Sequence, residues 1–140
     1  MTGALFEPFS LKSLELKNRI AMTPMTRGMS PNGIPGRNVA AYYRSRAEGG
    51  TGLIITEGTT INRPAASNNA DIPNFYAPEA IAGWSRVVNQ VHEAGGKIAP
   101  QLRHQGASRA PGTGPNPDGK ARVRHRRGRT RAAHRPGVGE

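Results

Sequence analysis

The sequence predicts an α/β protein whose parallel strands are joined by right-handed crossovers. Three observations predict it. Short apolar runs alternate with amphipathic stretches of about 10–16 residues, in the order β, α, β, α, β. Both amphipathic stretches end on a glycine pair, Gly49-Gly50 and Gly95-Gly96, immediately before the next apolar run. The central run, Leu53-Ile54-Ile55, offers apolar side chains to both faces, as a fully buried parallel strand does. The same order suits a doubly wound sheet or the first part of a (β/α)₈ barrel, and periodicity leaves the two open. A complete barrel needs about 250 residues, and this chain has 140.

The elements follow in order. Residues 5–17 carry Phe9, Leu11, Leu14 and Leu16 at a spacing of two, broken at Lys12-Ser13, which predicts a small hairpin. It would close the bottom of a barrel. The stretch Asn18-Arg19-Ile20-Ala21-Met22-Thr23-Pro24-Met25-Thr26-Arg27 reads as a first strand with Ile20 and Met22 packed inward, stopped by Pro24, which has no N–H to donate. Turn residues from Gly28 to Gly36 make a loop. Asn38 then caps a helix to about Glu48 with Val39, Tyr42, Tyr43, Arg46 and Ala47 on or near one face. Thr51–Thr56 is the second strand, and residues 57–77 form a long polar connection, of a length that is usually functional or disordered. Pro78 and Glu79 suit the first turn of the next helix. Ile81, Trp84, Val88 and Val91 are its core stripe. Lys97–Leu102 is the third strand, with Pro100 an awkward member, and Arg103-His104-Gln105-Gly106 follows it.

The net charge of +11 is unevenly spread. Residues 1–119 hold 12 Lys+Arg and 8 Asp+Glu, whereas residues 120–140 hold 8 Lys+Arg and one acid, Glu140. The last stretch, with Val123 and Val138 its only bulky apolar residues, cannot offset its ordering entropy and is expected to be disordered. The domain division is therefore 1–110 for the α/β part and 111–140 for a Gly/Pro/Arg-rich tail. There is no Cys, so disulfides and thiolate metal sites are excluded. Glu7 and the lack of a sustained apolar run argue against a secretory signal. No run approaches the roughly 18 residues that span a membrane, and a cytoplasmic protein is the default.

If the strands are parallel, three strand ends present polar groups together: Thr26 and Arg27; Glu57 and Gly58; Gln101, Arg103 and His104. They suit a flat, hydrogen-bonding heterocycle. Gln101 offers donors and an acceptor in one amide, Thr26 a hydroxyl, and Gly58 a backbone that a ring can approach. A plain polar rim is the competing reading of the same residues. Two other motifs fail: His92-Glu93-Ala94-Gly95-Gly96 has Gly where a zinc-protease helix needs its second His, and Gly112-Thr113-Gly114 runs into Pro117 where a dinucleotide fingerprint needs its third Gly. No metal site is expected.

Three segments resemble the old yellow enzyme family of FMN-dependent NAD(P)H:flavin oxidoreductases and ene-reductases: LFEPFSLKSLELKNRIAMTPMTR, EGGTGLIITEGTTI and PNFYAPEAIAGWSRVVNQVHEAGGKIAPQLRHQGAS. They span about residues 5–108. The resemblance implies about three β/α units of a (β/α)₈ TIM barrel, with FMN at the C-terminal ends of the strands. It implies that Pro24, Met25 and Thr26 lie against the isoalloxazine ring, with the Thr26 hydroxyl near the O4/N5 edge. Gly58 would bring its backbone to the ring, and Gln101 would bond the pyrimidine side. Arg103, where the family often has Trp, and His104 would line the site. The implied reaction is reduction of FMN by NAD(P)H, then hydride transfer to the β-carbon of an activated alkene such as an enone.

The family's substrate-anchoring His-His or His-Asn pair and its proton-donating Tyr have no counterpart here. The resemblance therefore assigns no catalytic residue, His125 and His134 included, and the chain alone is expected to lack appreciable reductase activity. The tail's Arg, Ala, Gly, Pro and His composition is what a GC-rich coding region gives when read out of frame, so a truncated or frameshifted product is expected. The alternative function is non-specific, salt-sensitive binding of nucleic acid by the tail. Its basic residues have no interleaved aromatics and no helix-turn-helix or zinc pattern, so this is the weaker reading.

Overall fold

The computed structural model describes residues 3–108 together with Gly112 and Gly114. The tail expected to be disordered otherwise lies outside the described residues, as do His125 and His134. A single helical turn, α1 (Gly3–Phe6), leads into the hairpin β1 (Phe9–Leu11) and β2 (Leu14–Leu16), paired antiparallel with Leu11 opposite Leu14. The period-two spacing of its leucines is the spacing of a strand, and Lys12 turns the corner with a φ of 54°.

Three parallel strands follow in sequential order: β3 (Ala21–Met22), β4 (Leu53–Thr60) and β5 (Lys97–Arg103). The first crossover is α2 (Arg37–Glu48) and the second α3 (Pro78–Glu93). These alternating units form the parallel sheet typical of part of a TIM barrel. Both helices cover one sheet face, and the core between them is built from Val39, Tyr43 and Ala47 of α2, Ile54 of β4, and Trp84, Val87 and Val91 of α3. Met22, Ile54 and Ile98 stand opposite one another in register and all belong to this helix-side core.

Several local expectations are corrected. The α2 helix begins two residues early: Gly36, and not Asn38, is its N-cap, and its carbonyl accepts the Ala40 N–H at 3.2 Å. Asn38 lies inside the first turn, and its side chain instead donates to the Met29 carbonyl. The first strand is only two residues long. Upstream of it, buried Asn18 holds the chain by accepting the Ile20 N–H at 3.0 Å and donating to the Gly50 carbonyl. The second strand runs to Thr60 instead of stopping at Thr56, so the connection to α3 starts at Ile61.

The stripe on α3 is also shifted. Its buried residues are Ala80, Gly83, Trp84, Val87 and Val91, while Ile81 is 40% exposed and Val88 half-buried. Ile81 and Val88 instead line an apolar groove of about 290 Å³ with Phe75, Ile98 and Pro100, on the flank of α3 turned away from α2. The 81/84/88/91 spacing thus mixes two faces of the helix, one against α2 and the sheet, one open among the described residues.

Gly83 is where α3 meets the loop before α2. A Cβ there would stand 2.5 Å from the Pro35 carbonyl oxygen, which is backbone and cannot swing aside. Two effects compete in Gly83→Ala. Alanine gains about 1 kcal/mol of helix propensity, while overpacking costs about 1–3 kcal/mol. The second is expected to win, so G83A should lower the urea midpoint. An unchanged or raised midpoint would show that α3 shifts at no cost.

Candidate flavin-facing strand ends

The site is set by an irregularity in β4. Ile55 pairs with Ala99 and Gly58 with Gln101, so Thr56 and Glu57 together stand against the single residue Pro100. This is a β-bulge, and Pro100, with no N–H to lose, is suited to sit opposite it. The Thr56 hydroxyl repairs the gap: it accepts the Gln101 N–H at 3.2 Å and donates to the Glu57 carbonyl at 2.8 Å. Beyond the bulge the Thr59 hydroxyl donates to the Gln101 carbonyl at 3.0 Å, closing the strands again.

The bulge re-aims Glu57. Its carboxylate is 1% exposed, and one oxygen, Oε2, accepts two successive backbone N–H groups, from Arg27 at 2.8 Å and Gly28 at 3.1 Å. Gly28 has a φ of +60°, a left-handed conformation that lets neighbouring amides converge on one acceptor. The loop after β3 is thereby tied to β4 at the residue before Gly58. From the helix side, the Arg27 guanidinium lies 4.3 Å from the Tyr42 ring centroid and donates to the Tyr42 hydroxyl. The Glu57 N–H donates to the Tyr43 hydroxyl at 2.8 Å. Tyr43 is nearly inaccessible, and burial pushes its phenol up to about 12.

The expected site residues fall as follows. Pro24 is half-buried, and Met25 and Thr26 are exposed on the loop ending at the Arg27–Gly28 tie. Gly58 is buried on the adjacent strand, in register with Gln101. Strand alternation puts Gly58, Thr60, Gln101 and Arg103 on the sheet face turned away from the helices. Gln101 engages its neighbours through its main chain, and its side-chain amide, like the imidazole of His104, is exposed.

Arg103 lies over Gly58: a Cβ added at 58 would stand 2.6 Å from its Cδ. Gly58 is therefore the base of a shallow cradle with the Arg103 alkyl arm as its cover. Glu57 was placed at the strand end by sequence reasoning, but its grip on the loop was missed. No sequence pattern announces a bulge, and only the Thr-Glu-Gly run with Pro100 on the partner strand hints at one.

Two sizeable clefts among the described residues lie elsewhere. One of about 240 Å³ opens among residues of the 60–76 segment, with Arg63, Asn69, Asn74 and Tyr76 on its wall, and the other is the apolar groove beside α3. Neither contains Thr26, Gly58 or Gln101, because those residues form one open wall and not an enclosed cavity. Among the described residues, no three His, Asp or Glu side chains could hold a metal ion, and no helix is long and apolar enough to cross a membrane.

A flavin ring needs a surface that approaches without side chains, flanked by hydroxyl and amide hydrogen-bonding groups. Gly58 offers the bare surface and Thr26 and Gln101 carry the hydroxyl and the amide, so the residue types present suit the group, while the Arg103 arm lies over Gly58. Comparison with known proteins gives the same direction. The model of the NADH:flavin oxidoreductase / NADH oxidase family matches residues 4–123. The 12-oxophytodienoate reductase 7 of Oryza sativa subsp. japonica is 38% identical over 102 residues, 73% of this chain and 25% of that protein. The NADPH dehydrogenase of Bacillus subtilis (strain 168) is 38% identical over 108 residues, 76% of this chain and 32% of that protein. Among solved structures, morphinone reductase in complex with tetrahydroNAD superposes with a TM-score of 0.68 at 45% identity, covering 74% of this chain and 28% of that one. The chain thus spans about a quarter to a third of the length of these relatives.

Proposed function

The chain belongs to the NADH:flavin oxidoreductase / NADH oxidase family, and from that premise we propose that it supplies one wall of an FMN-dependent ene-reductase site. The observation that carries the proposal is the Glu57 tie. It ties the loop that carries Thr26, one residue before the tied amides, to β4 at the residue before Gly58, and Gly58 is in turn paired with Gln101. Loop, strand and neighbouring strand so converge at one end of a parallel sheet, the end where (β/α)₈ enzymes do their chemistry.

In this reading residues 1–110 act as one cofactor-binding domain. Pro24 and Met25 give the ring an apolar flank, and Thr26 donates to a ring acceptor. The Gly58 backbone lets the ring approach, and the Gln101 amide meets the pyrimidine edge with both a donor and an acceptor. Arg103 and His104 line the substrate side. FMN, when bound, would take hydride from NAD(P)H and pass it to the β-carbon of an activated alkene. The chain's own part is to bind and orient. Anchoring the substrate carbonyl and delivering the proton are not roles of these residues. A cytoplasmic location, where NAD(P)H is supplied, belongs to the same proposal. The names of the relatives, reductases of 12-oxophytodienoate and morphinone, support an enone-type substrate.

The test is a titration of FMN into the purified chain, read by quenching of flavin fluorescence. Saturable binding is expected, weakened by Gln101→Ala through loss of hydrogen bonds worth about 1 kcal/mol, or about fivefold in affinity. Absence of saturable binding, or identical affinities for the two proteins, would remove the assignment of Gln101 and with it the proposed wall.

A further inference from the structure

Glu57 has two features that a purely stabilising residue would not show. It is a carboxylate buried to 1% exposure, and its second oxygen, Oε1, is buried without a hydrogen-bond partner among the described residues. Burying a charged group with one oxygen unpaired costs stability relative to an apolar side chain of similar size. Rule-breaking positions of this kind concentrate at functional sites. Its other oxygen engages only the backbone of Arg27 and Gly28, so the grip is independent of which side chains the loop carries.

We propose that Glu57 is a positioning residue: its carboxylate holds the loop after β3 by two backbone amides and thereby sets where Thr26 meets the flavin edge. The inference rests on the flavin reading of the site and adds a residue that does not itself touch the ring. Three structural facts support it. The bulge at Thr56–Glu57 turns the side chain toward the loop. The N–H of Glu57 is fixed from the opposite side by the Tyr43 hydroxyl, so the carboxylate is presented from a rigid backbone. The tied amides begin one residue beyond Thr26, too close in sequence for the loop to move without moving its hydroxyl.

The experiment compares wild type, Glu57→Gln, Glu57→Ala and Thr26→Ala, with the E57A/T26A double variant, using the whole chain. Amide hydrogen exchange reads the grip directly. In E57A, Arg27 and Gly28 should exchange roughly tenfold faster or more, while amides within α3 keep their rates. E57Q, which retains one acceptor oxygen, should restore most of the protection. Equal rates at 27 and 28 in wild type and E57A would overturn the grip, as would uniform acceleration across α3.

The FMN titration reads the positioning. E57A should weaken binding and shift the bound flavin's visible absorption, E57Q should do so far less, and in the T26A background E57A should do neither, because the group Glu57 positions is gone. Full effects of E57A in the T26A background would overturn action through Thr26. Failure of wild type to bind FMN would overturn the flavin reading, and the exchange rates alone would then decide the grip.

Discussion

Trp84→Ala is expected to destabilise the fold by about 3–5 kcal/mol, the range for truncating a buried aromatic. Trp84 is 4% exposed and lies between the rings of Tyr43, at 6.4 Å between centroids, and Phe75, at 6.2 Å. It joins α2, α3 and the segment before α3 in one packed cluster. Its indole N–H also donates to the Asn74 carbonyl at 2.9 Å. Asn74 is itself a junction. Its side-chain oxygen accepts the Thr60 hydroxyl at 2.7 Å, and its N–H donates to the Gly33 carbonyl at 2.8 Å. Removing Trp84 therefore opens a cavity and frees the piece that ties the end of β4 to the loop before α2.

Domains of this size have about 5–15 kcal/mol of stability in total, so the loss would be a large share of it. Trp84→Phe separates the two contributions: it keeps most of the ring and loses the N–H, and about 1 kcal/mol is expected. Urea unfolding followed by far-ultraviolet circular dichroism measures both, since the only tryptophan is lost in each variant. A cost under 1 kcal/mol for W84A would show that the helix-side core does not hold the fold together.

The contrast between what the sequence revealed and what it concealed follows from the range of the interactions. Alternation of strands and helices is local. It is written in the Gly49-Gly50 and Gly95-Gly96 stops, in Pro78 at the first helical position, and in the leucine spacing of the hairpin. These signals lie within a few residues of the element boundaries, whereas the first strand, read over Asn18–Arg27, is confined to Ala21–Met22, and β4 runs past Thr56 to Thr60. The choice between barrel and doubly wound sheet needed family resemblance, because consecutive crossovers look the same in both. Sequential order β3-β4-β5 with both helices on one face is the tertiary fact that periodicity lacks.

The error on α3 has a different cause. Ile81 and Val88 are apolar for the groove and Trp84 and Val91 for the core, and a helix with two apolar faces gives one merged stripe. At the candidate site, residue types were legible but their support was not. That Glu57 reaches Arg27 and Gly28 depends on a bulge between strands more than 40 residues apart in sequence, and nothing local encodes it.

Tyr43→Phe is the sharper probe of that support, because it removes one atom. The hydroxyl accepts the buried N–H of Glu57 at 2.8 Å. Phenylalanine keeps the packing against Tyr42 and Trp84 but leaves that N–H without an acceptor, at a cost of about 1–3 kcal/mol. The variant should also change the pH dependence of stability. Burial raises the Tyr43 phenol from 10.0 to about 12 in the folded chain. The unfolded chain therefore loses this proton first as pH rises, and proton release favours unfolding. The contribution is fully present below pH 10 and is lost as pH climbs from about 10 through about 12. Wild type should thus lose stability steeply over that alkaline window. Y43F should start lower at neutral pH and fall less across it, so the two urea-midpoint curves approach each other. Parallel curves would mean that the phenol ionises in the folded chain as it does in the unfolded one. The Tyr43 hydroxyl would then not be buried against the Glu57 N–H, and the fixed presentation of Glu57 that rests on that bond would fall.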